Sequence, residues 1–430
     1  MIFSIFLSVL ILASFFLKSY YLTYALVLVL YAYNILTVRN IFGKIIFSYL
    51  FIYLLIPFPN ISSYRGEIQF DTLMIYSITY ILILLFFNFA NQISQRISRT
   101  HNSYLYATPF TYIIAIIHII FSYSLLLYIY MSYGNILLNQ SLRFSLNATF
   151  TYLIISTIYI PLYFCVCRNF KFSFINVSLF IILPLLTPLL IGNRGMVVAI
   201  ILGILLVRFL MIEDGRRVLN IISVKVKDIS KIKILFLGSV TAGLFSIVYF
   251  FRRMTQKTSM AESVSRYLDI KSNILVMFLI PILPIYFNLR ETVGLTNRII
   301  VNNLHNTQSE IPLFFLELIT FLPGKQMSPG VLFGNMVGKT QEGGLTPGMI
   351  GGLYLDFGYL CIIIPAFIVS VIGFFSFKAF SNDNYKLLIT LFTIQFIHLY
   401  HRGFLKLEYL FAFLVLFLYL SFSSKKIIIS

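Results

Sequence analysis

Long apolar runs alternate with short polar joints along almost the whole chain. The runs fall near 1–17, 20–38, 45–58, 70–90, 108–131, 148–166, 174–192, 195–212, 234–251, 348–377, 387–400 and 406–423. Most are roughly 17–25 residues long, the length a helix needs to cross a bilayer core. They carry neither the strict two-residue alternation of half-buried strands nor the polar stripe of a soluble helix. The pattern predicts an all-α polytopic membrane protein with about twelve transmembrane helices.

One stretch breaks the rhythm. Residues 252–345 open on Arg252-Arg253 and close just before a glycine-rich helix start, Thr346-Pro347-Gly348 through Gly358. Two apolar runs lie inside, Ile274–Leu289 and Ile311–Leu322. The first carries Pro281 and Pro284 and the second is short, so both are expected as interfacial or re-entrant helices. The chain therefore divides into residues 1–251 with nine spans, a large loop over 252–345 acting as a lid, and residues 346–430 with three spans. No internal repeat is evident.

Composition agrees with a membrane class: 59% of the 430 residues are hydrophobic and 11% charged, where a soluble domain carries about 25% charged. The formal net charge of +18 is then a matter of topology rather than of nucleic acid. Basic residues gather in alternate joints: Arg39 and Lys44, Arg96 and Arg99, Arg168 and Lys171, Arg208 through Lys233, Lys378 and Lys386, Lys425 and Lys426. Positive residues mark the cytoplasmic side. Both termini are expected inside and the 252–345 loop outside, with the first run retained as a span rather than cleaved as a signal peptide.

Several arginines then stand on the wrong side of that rule: Arg65, Arg143, Arg194, Arg402, and in the large loop Arg252, Arg253, Arg266, Arg290 and Arg298. A guanidinium offers a planar donor fork that fits phosphate oxygens. Headgroup snorkelling at helix ends explains any one of them equally well, but lysine would serve that purpose too. Gly192-Asn193-Arg194-Gly195 leaves Arg194 almost no loop, and His401-Arg402-Gly403 is a similar corner between the last two spans. At the glycine-rich start Thr346 is a candidate N-cap and Pro347 a first helical residue. Gly348, Gly351, Gly352 and Gly358 permit close backbone approach, and Asp356 is an acid inside an apolar helix.

Acids and one histidine expected on the same side are Glu67, Asp71, Glu262, Asp269, Glu291, His305, Glu310, Glu317, Glu342, Asp356 and Glu408. None forms a recognisable metal or nucleophile signature, so no metal and no cofactor are expected. Cys165, Cys167 and Cys361 sit in or beside spans and imply no disulfide framework.

Three places, Asn193-Arg194-Gly195, Gly351-Gly-Leu-Tyr-Leu-Asp-Phe-Gly358 and Arg402-Gly403, resemble the Wzy-type O-antigen polymerases, which join the oligosaccharide repeat units of bacterial surface polysaccharides. The span count and the large loop in the C-terminal half resemble that family as well. Where its members often carry an acid, this chain has Gly352. The resemblance implies a metal-independent glycosyltransferase of the bacterial inner membrane. It would move a growing glycan from polyprenyl diphosphate onto the non-reducing end of a new undecaprenyl-diphosphate-linked unit. It further implies Arg194, Arg252, Arg253 and Arg402 as diphosphate ligands, and Tyr354, Gly351 and Gly352 as cavity lining. His305, Glu342 and Asp356 are then the candidates for catalytic proton transfer. A chain-length regulator is the expected protein partner and nucleic acid is not. An O-antigen ligase and a flippase for the lipid-linked unit are the competing readings.

Overall fold

A computed structural model describes residues 2–60, 64–97, 102–134, 148–191, 194–221, 283–307, 309–319, 328–337 and 345–428. The chain is predominantly helical there. In order come α1 (Ile2–Phe16), α2 (Tyr20–Thr37), α3 (Ile41–Leu55), α4 (Phe70–Ile97), β1 (Asn102–Tyr106) and α5 (Pro109–Tyr133). There follow α6 (Ala148–Ile155), α7 (Tyr159–Val166), α8 (Phe174–Val177), α9 (Leu183–Leu190), α10 (Arg194–Ile221) and α11 (Leu283–Val301). The last are α12 (Leu313–Leu316), α13 (Pro329–Met336), α14 (Gly348–Phe357), α15 (Ile363–Ser376), α16 (Asp383–Arg402), α17 (Leu407–Ser421) and β2 (Ser424–Ile428).

Among the described residues five helical stretches are long and apolar enough to cross a membrane: Tyr20–Thr37, Phe70–Ile97, Pro109–Tyr133, Thr149–Val166 and Gly348–Ser376. The expected run at 234–251 lies outside the described residues. Three expected spans are interrupted. A 3₁₀ turn at Ser156–Ile158 separates α6 from α7, and a π turn at Ser178–Ile182 followed by Pro184 and Pro188 breaks the 174–192 run. Gly358, at φ +57°, bends the chain between α14 and α15.

Helix ends depart from the hydropathy pattern where side chains cap them. α3 begins at Ile41, so Lys44 is helical rather than in a joint, because the Asn40 side chain accepts from the amides of Phe42 and Gly43. α4 runs on through Arg96 and α10 through Ile221, where loops were expected. The all-α expectation also needs a correction: β1 and β2 pair antiparallel, Tyr104 opposite Lys426.

The chain forms two compact units. The first comprises Met1–Arg96, Arg253–Phe374 and Leu399–Leu405, and the second Ile97–Arg252, Phe375–His398 and Lys406–Ser430. In the first unit α1, α2 and α3 pack as antiparallel neighbours. Small polar pairs join them, Ser14 with Thr23 at 2.7 Å and Ser4 with Asn34 at 3.3 Å, the kind of contact that holds helices together in lipid. α11 packs inside this unit: Thr292, Val293, Leu295, Thr296, Asn297 and Ile299 are all buried. Within the described part of the 252–345 segment, α11 is a buried helix, while α12 and α13 are short. α11 anchors the neighbouring chain from within. The Asn297 carboxamide oxygen accepts from the Gln69 amide at 2.8 Å and from the Thr72 hydroxyl at 2.7 Å, which satisfies the start of α4.

In the second unit the interrupted helices meet. Thr157 and Thr187 hydroxyls lie 2.6 Å apart, and both reach the Pro184 carbonyl that no regular helix bond would take. His118 lies 2.9 Å from the Ser156 hydroxyl. Asp383 is buried and receives a two-pronged bond from Arg168, Nε to Oδ2 and an Nη to Oδ1, each 3.0 Å. It also accepts from Lys386 Nζ at 2.9 Å and from the Leu105 amide at 3.1 Å. Lys386, expected in a basic joint, is 0% exposed. Cys165 and Cys167 are buried at the end of α7 and carry no disulfide.

Candidate functional site

The site grows out of α11. Its threonines make a surface on which the glycine-rich chain lies without side chains between. A Cβ on Gly348 would stand 2.7 Å from the Thr292 methyl, and one on Gly351 2.7 Å from the Thr296 hydroxyl. Thr296 donates this hydroxyl to the Pro347 carbonyl. Gly348 has φ +69°, a conformation glycine alone adopts freely, so α14 begins there. The expected Thr346 cap is absent; Pro347 holds the N-cap position and supplies no side-chain bond.

The Arg402-Gly403 corner packs on this helix start. Gly403 has φ +86°, and its carbonyl occupies the space a Gly352 side chain would need. Beyond the corner, the Leu405 amide donates to the Phe314 carbonyl at 2.8 Å. Phe314 is fixed in turn by Asp356, whose carboxylate accepts from the amides of Leu313 at 2.9 Å and Phe314 at 2.7 Å and from Asn306 at 3.2 Å. Asp356 thus satisfies the start of α12 and holds the 306–314 chain against α14. Two motifs about fifty residues apart in sequence form one backbone junction, tied at both ends.

Arg402 is half-buried at this junction. Its Nε is buried with no hydrogen-bond partner among the described residues, and no carboxylate there lies within ion-pair distance. A desolvated cation without a counter-charge is unfavourable on its own, and an anion would relieve it. Beside it His401 Nδ1 lies 2.5 Å from the Tyr53 hydroxyl.

Tyr354 is buried on α14 and donates its hydroxyl to Asn303 at 3.1 Å. His305 is exposed and its ring lies parallel to that of Tyr354, centroids 6.3 Å apart. The structure thus gathers Tyr354, His305, Asp356, Gly351, Gly352 and Arg402 in the first unit. Arg194 is the first residue of α10, in the second. Arg143, Arg252, Arg253, Arg266 and Glu342 lie outside the described residues.

Two arginines of the expected anion-binding set are committed elsewhere. Arg290 is 0% exposed and donates to the carbonyls of Pro57, Tyr64 and Gly66 and to the side chain of Asn60. Burial pulls its guanidinium below the usual arginine value, while Tyr286, Tyr20 and Glu67 oppose that shift. It is a clamp on the 57–66 chain. Arg65 pairs with Glu291 at 2.8 Å, both about one-third exposed. Arg298 is exposed, with no ion pair among the described residues.

Sequence reading passed over the Tyr53–His401 pair, because nothing local links residues 348 positions apart. It also passed over His398, buried in the second unit with Nδ1 2.6 Å from the Tyr409 hydroxyl and 4.0 Å from Glu408. Lys406 Nζ lies 3.3 Å from that carboxylate. A histidine and an acid at the ends of two apolar runs were the available signal. Among the described residues no three His, Cys, Asp or Glu side chains group as metal ligands. No protein-family model, curated protein or solved structure matches this chain.

Proposed function

We propose that the chain polymerises lipid-linked oligosaccharide repeat units, transferring a growing glycan from polyprenyl diphosphate to the non-reducing end of a new diphosphate-linked unit. The carrying observation is Arg402, a half-buried cation with no carboxylate partner among the described residues, seated on a glycine helix start. The leaving group of the reaction is a diphosphate. Arginines stabilise its developing charge as a metal would; the resemblance adds Arg194, Arg252 and Arg253 to Arg402 as its ligands. Tyr354, Gly351 and Gly352 line the site. Asp356 acts by positioning, since its oxygens are taken by the start of α12. His305 and Glu342 are the candidate proton acceptors that the sequence offers.

The membrane reading behind this has about twelve spans in a bacterial inner membrane, both termini cytoplasmic and residues 252–345 facing outward. The basic joints support that orientation, and the apolar helices support the bilayer. A chain-length regulator would bind outside the catalytic junction. The test is elongation: the purified chain in lipid nanodiscs, given a polyprenyl-diphosphate oligosaccharide, lengthens it in multiples of the unit.

A second reading, a transporter for the lipid-linked unit, draws on the second unit. Helices interrupted at Ser156–Ile158 and Ser178–Ile182, with His118 bonded to Ser156 between them, match how transporters build polar sites within a bilayer. Translocation of the unit without elongation in the same nanodisc or vesicle preparation favours it.

A further inference from the structure

The first unit holds a histidine that the reading above leaves unused. His401 precedes Arg402 directly, and its Nδ1 is held by the Tyr53 hydroxyl at 2.5 Å. Tyr53 is fully buried, packed edge-on against Tyr400 with ring centroids 5.1 Å apart, and its hydroxyl lies beside Thr292. Thr292 is the residue on which Gly348 lies. The imidazole is therefore oriented by a buried partner beside the same α11 surface that seats the glycine helix. His401 Nε2 has no hydrogen-bond partner among the described residues, and the ring is only half-buried. A histidine with one nitrogen held and the other open can accept a proton at the open nitrogen in the tautomer that carries its hydrogen on Nδ1.

We propose that His401 is the general base of the glycosyl transfer, in place of His305 and Glu342; this rests on the polymerase reading. Nδ1–H donates to the Tyr53 oxygen, which leaves the lone pair on Nε2. As the acceptor hydroxyl oxygen bonds to the anomeric carbon of the donor sugar, its proton passes to Nε2. The bond from that carbon to the diphosphate oxygen breaks, and its electron pair leaves with polyprenyl diphosphate. The proton on Nε2 then passes to water, restoring the neutral ring. The diphosphate anion at Arg402 offsets the cation beside the imidazole, which favours the imidazolium formed during transfer. Donor binding would thus switch the base on.

The experiment uses the full chain in nanodiscs with a polyprenyl-diphosphate oligosaccharide as both donor and acceptor. It measures kcat across a pH series and, separately, donor binding. H401Q is expected to lower kcat by about 10²–10⁴-fold, the usual worth of a general base, to leave donor binding unchanged, and to erase the acidic limb of the pH profile. Y53F keeps the imidazole, so it is expected to retain that limb with a smaller loss of kcat. H401Q with wild-type kcat, or one that keeps the acidic limb, overturns the proposal. Should H401Q not fold, a Y53F profile identical to wild type in rate and shape overturns it instead. A wild-type chain that binds the lipid but never elongates it overturns the polymerase reading itself.

Discussion

Gly403 lies against Gly348 so closely that a Cβ added to Gly403 would stand 2.5 Å from the Gly348 carbonyl oxygen. The obstructing atom is backbone, which cannot rotate away as a side chain would. Gly403 also holds φ +86°, where any other residue is strained. Gly403→Ala is therefore expected to lower stability by about 2–4 kcal/mol, adding overpacking to left-handed strain. Gly352→Ala, which keeps ordinary helical angles, pays only the overpacking, about 1–3 kcal/mol. Thermal unfolding in detergent should rank wild type above Gly352→Ala and Gly352→Ala above Gly403→Ala. The reverse order would show that the corner yields and the junction is not rigid.

Asp356 separates positioning from chemistry. Two backbone amides and Asn306 already engage its oxygens. Asp356→Ala removes a cap on α12 and is expected to cost about 1–2 kcal/mol. Asp356→Asn retains one accepting oxygen and should recover part of that stability and part of the elongation rate. Paired melting curves and rate measurements check this. A fully stable, fully inactive Asp356→Asn would instead mark the carboxylate as a chemical participant.

The helical character, the apolar lengths and the glycine motif could be read from the chain because each rests on residues close in sequence. Asp356 and Arg402 could be singled out for the same reason: a charge within or beside an apolar run is visible locally. Their partners could not. Asp356 serves amides some forty residues away, and Arg290 serves carbonyls of the 57–66 chain more than 220 residues away. Backbone carbonyls leave no mark in a sequence. Helix interruptions were also hidden, since neither Ser156–Ile158 nor Ser178–Ile182 carries a glycine or proline to mark it. The β1–β2 pairing joins residues 102–106 to 424–428, too far apart for any hairpin signal.

Arg290 and Arg65 sit in the same region and should behave oppositely. Arg290→Gln strands several buried carbonyl acceptors that its guanidinium satisfied. Each buried group left unsatisfied costs about 1–3 kcal/mol, so the variant is expected to fold poorly or to melt far below wild type. Arg65→Gln breaks one partly exposed pair with Glu291, and exposed pairs contribute at most about 1 kcal/mol. Expression and melting of the two variants test the contrast. Equal effects would place Arg290 among ordinary surface arginines.

Arg402 tests phosphate recognition against simple placement of a cation at a membrane edge. A snorkelling cation needs only positive charge and length, which lysine supplies. Two-pronged recognition of a diphosphate needs the planar fork, which lysine lacks. Arg402 has no carboxylate partner among the described residues, so neither Arg402→Lys nor Arg402→Gln breaks an ion pair there, and both are expected to accumulate like wild type. In a strain whose surface polysaccharide depends on this chain, both should abolish long-chain glycan, leaving at most a single repeat unit on the gel. Arg194→Gln, in another of the motifs that carry the resemblance, is expected to do the same. A normal ladder from Arg402→Lys alongside none from Arg402→Gln would assign Arg402 a charge role without bidentate geometry. Normal ladders from both would remove Arg402 from the site.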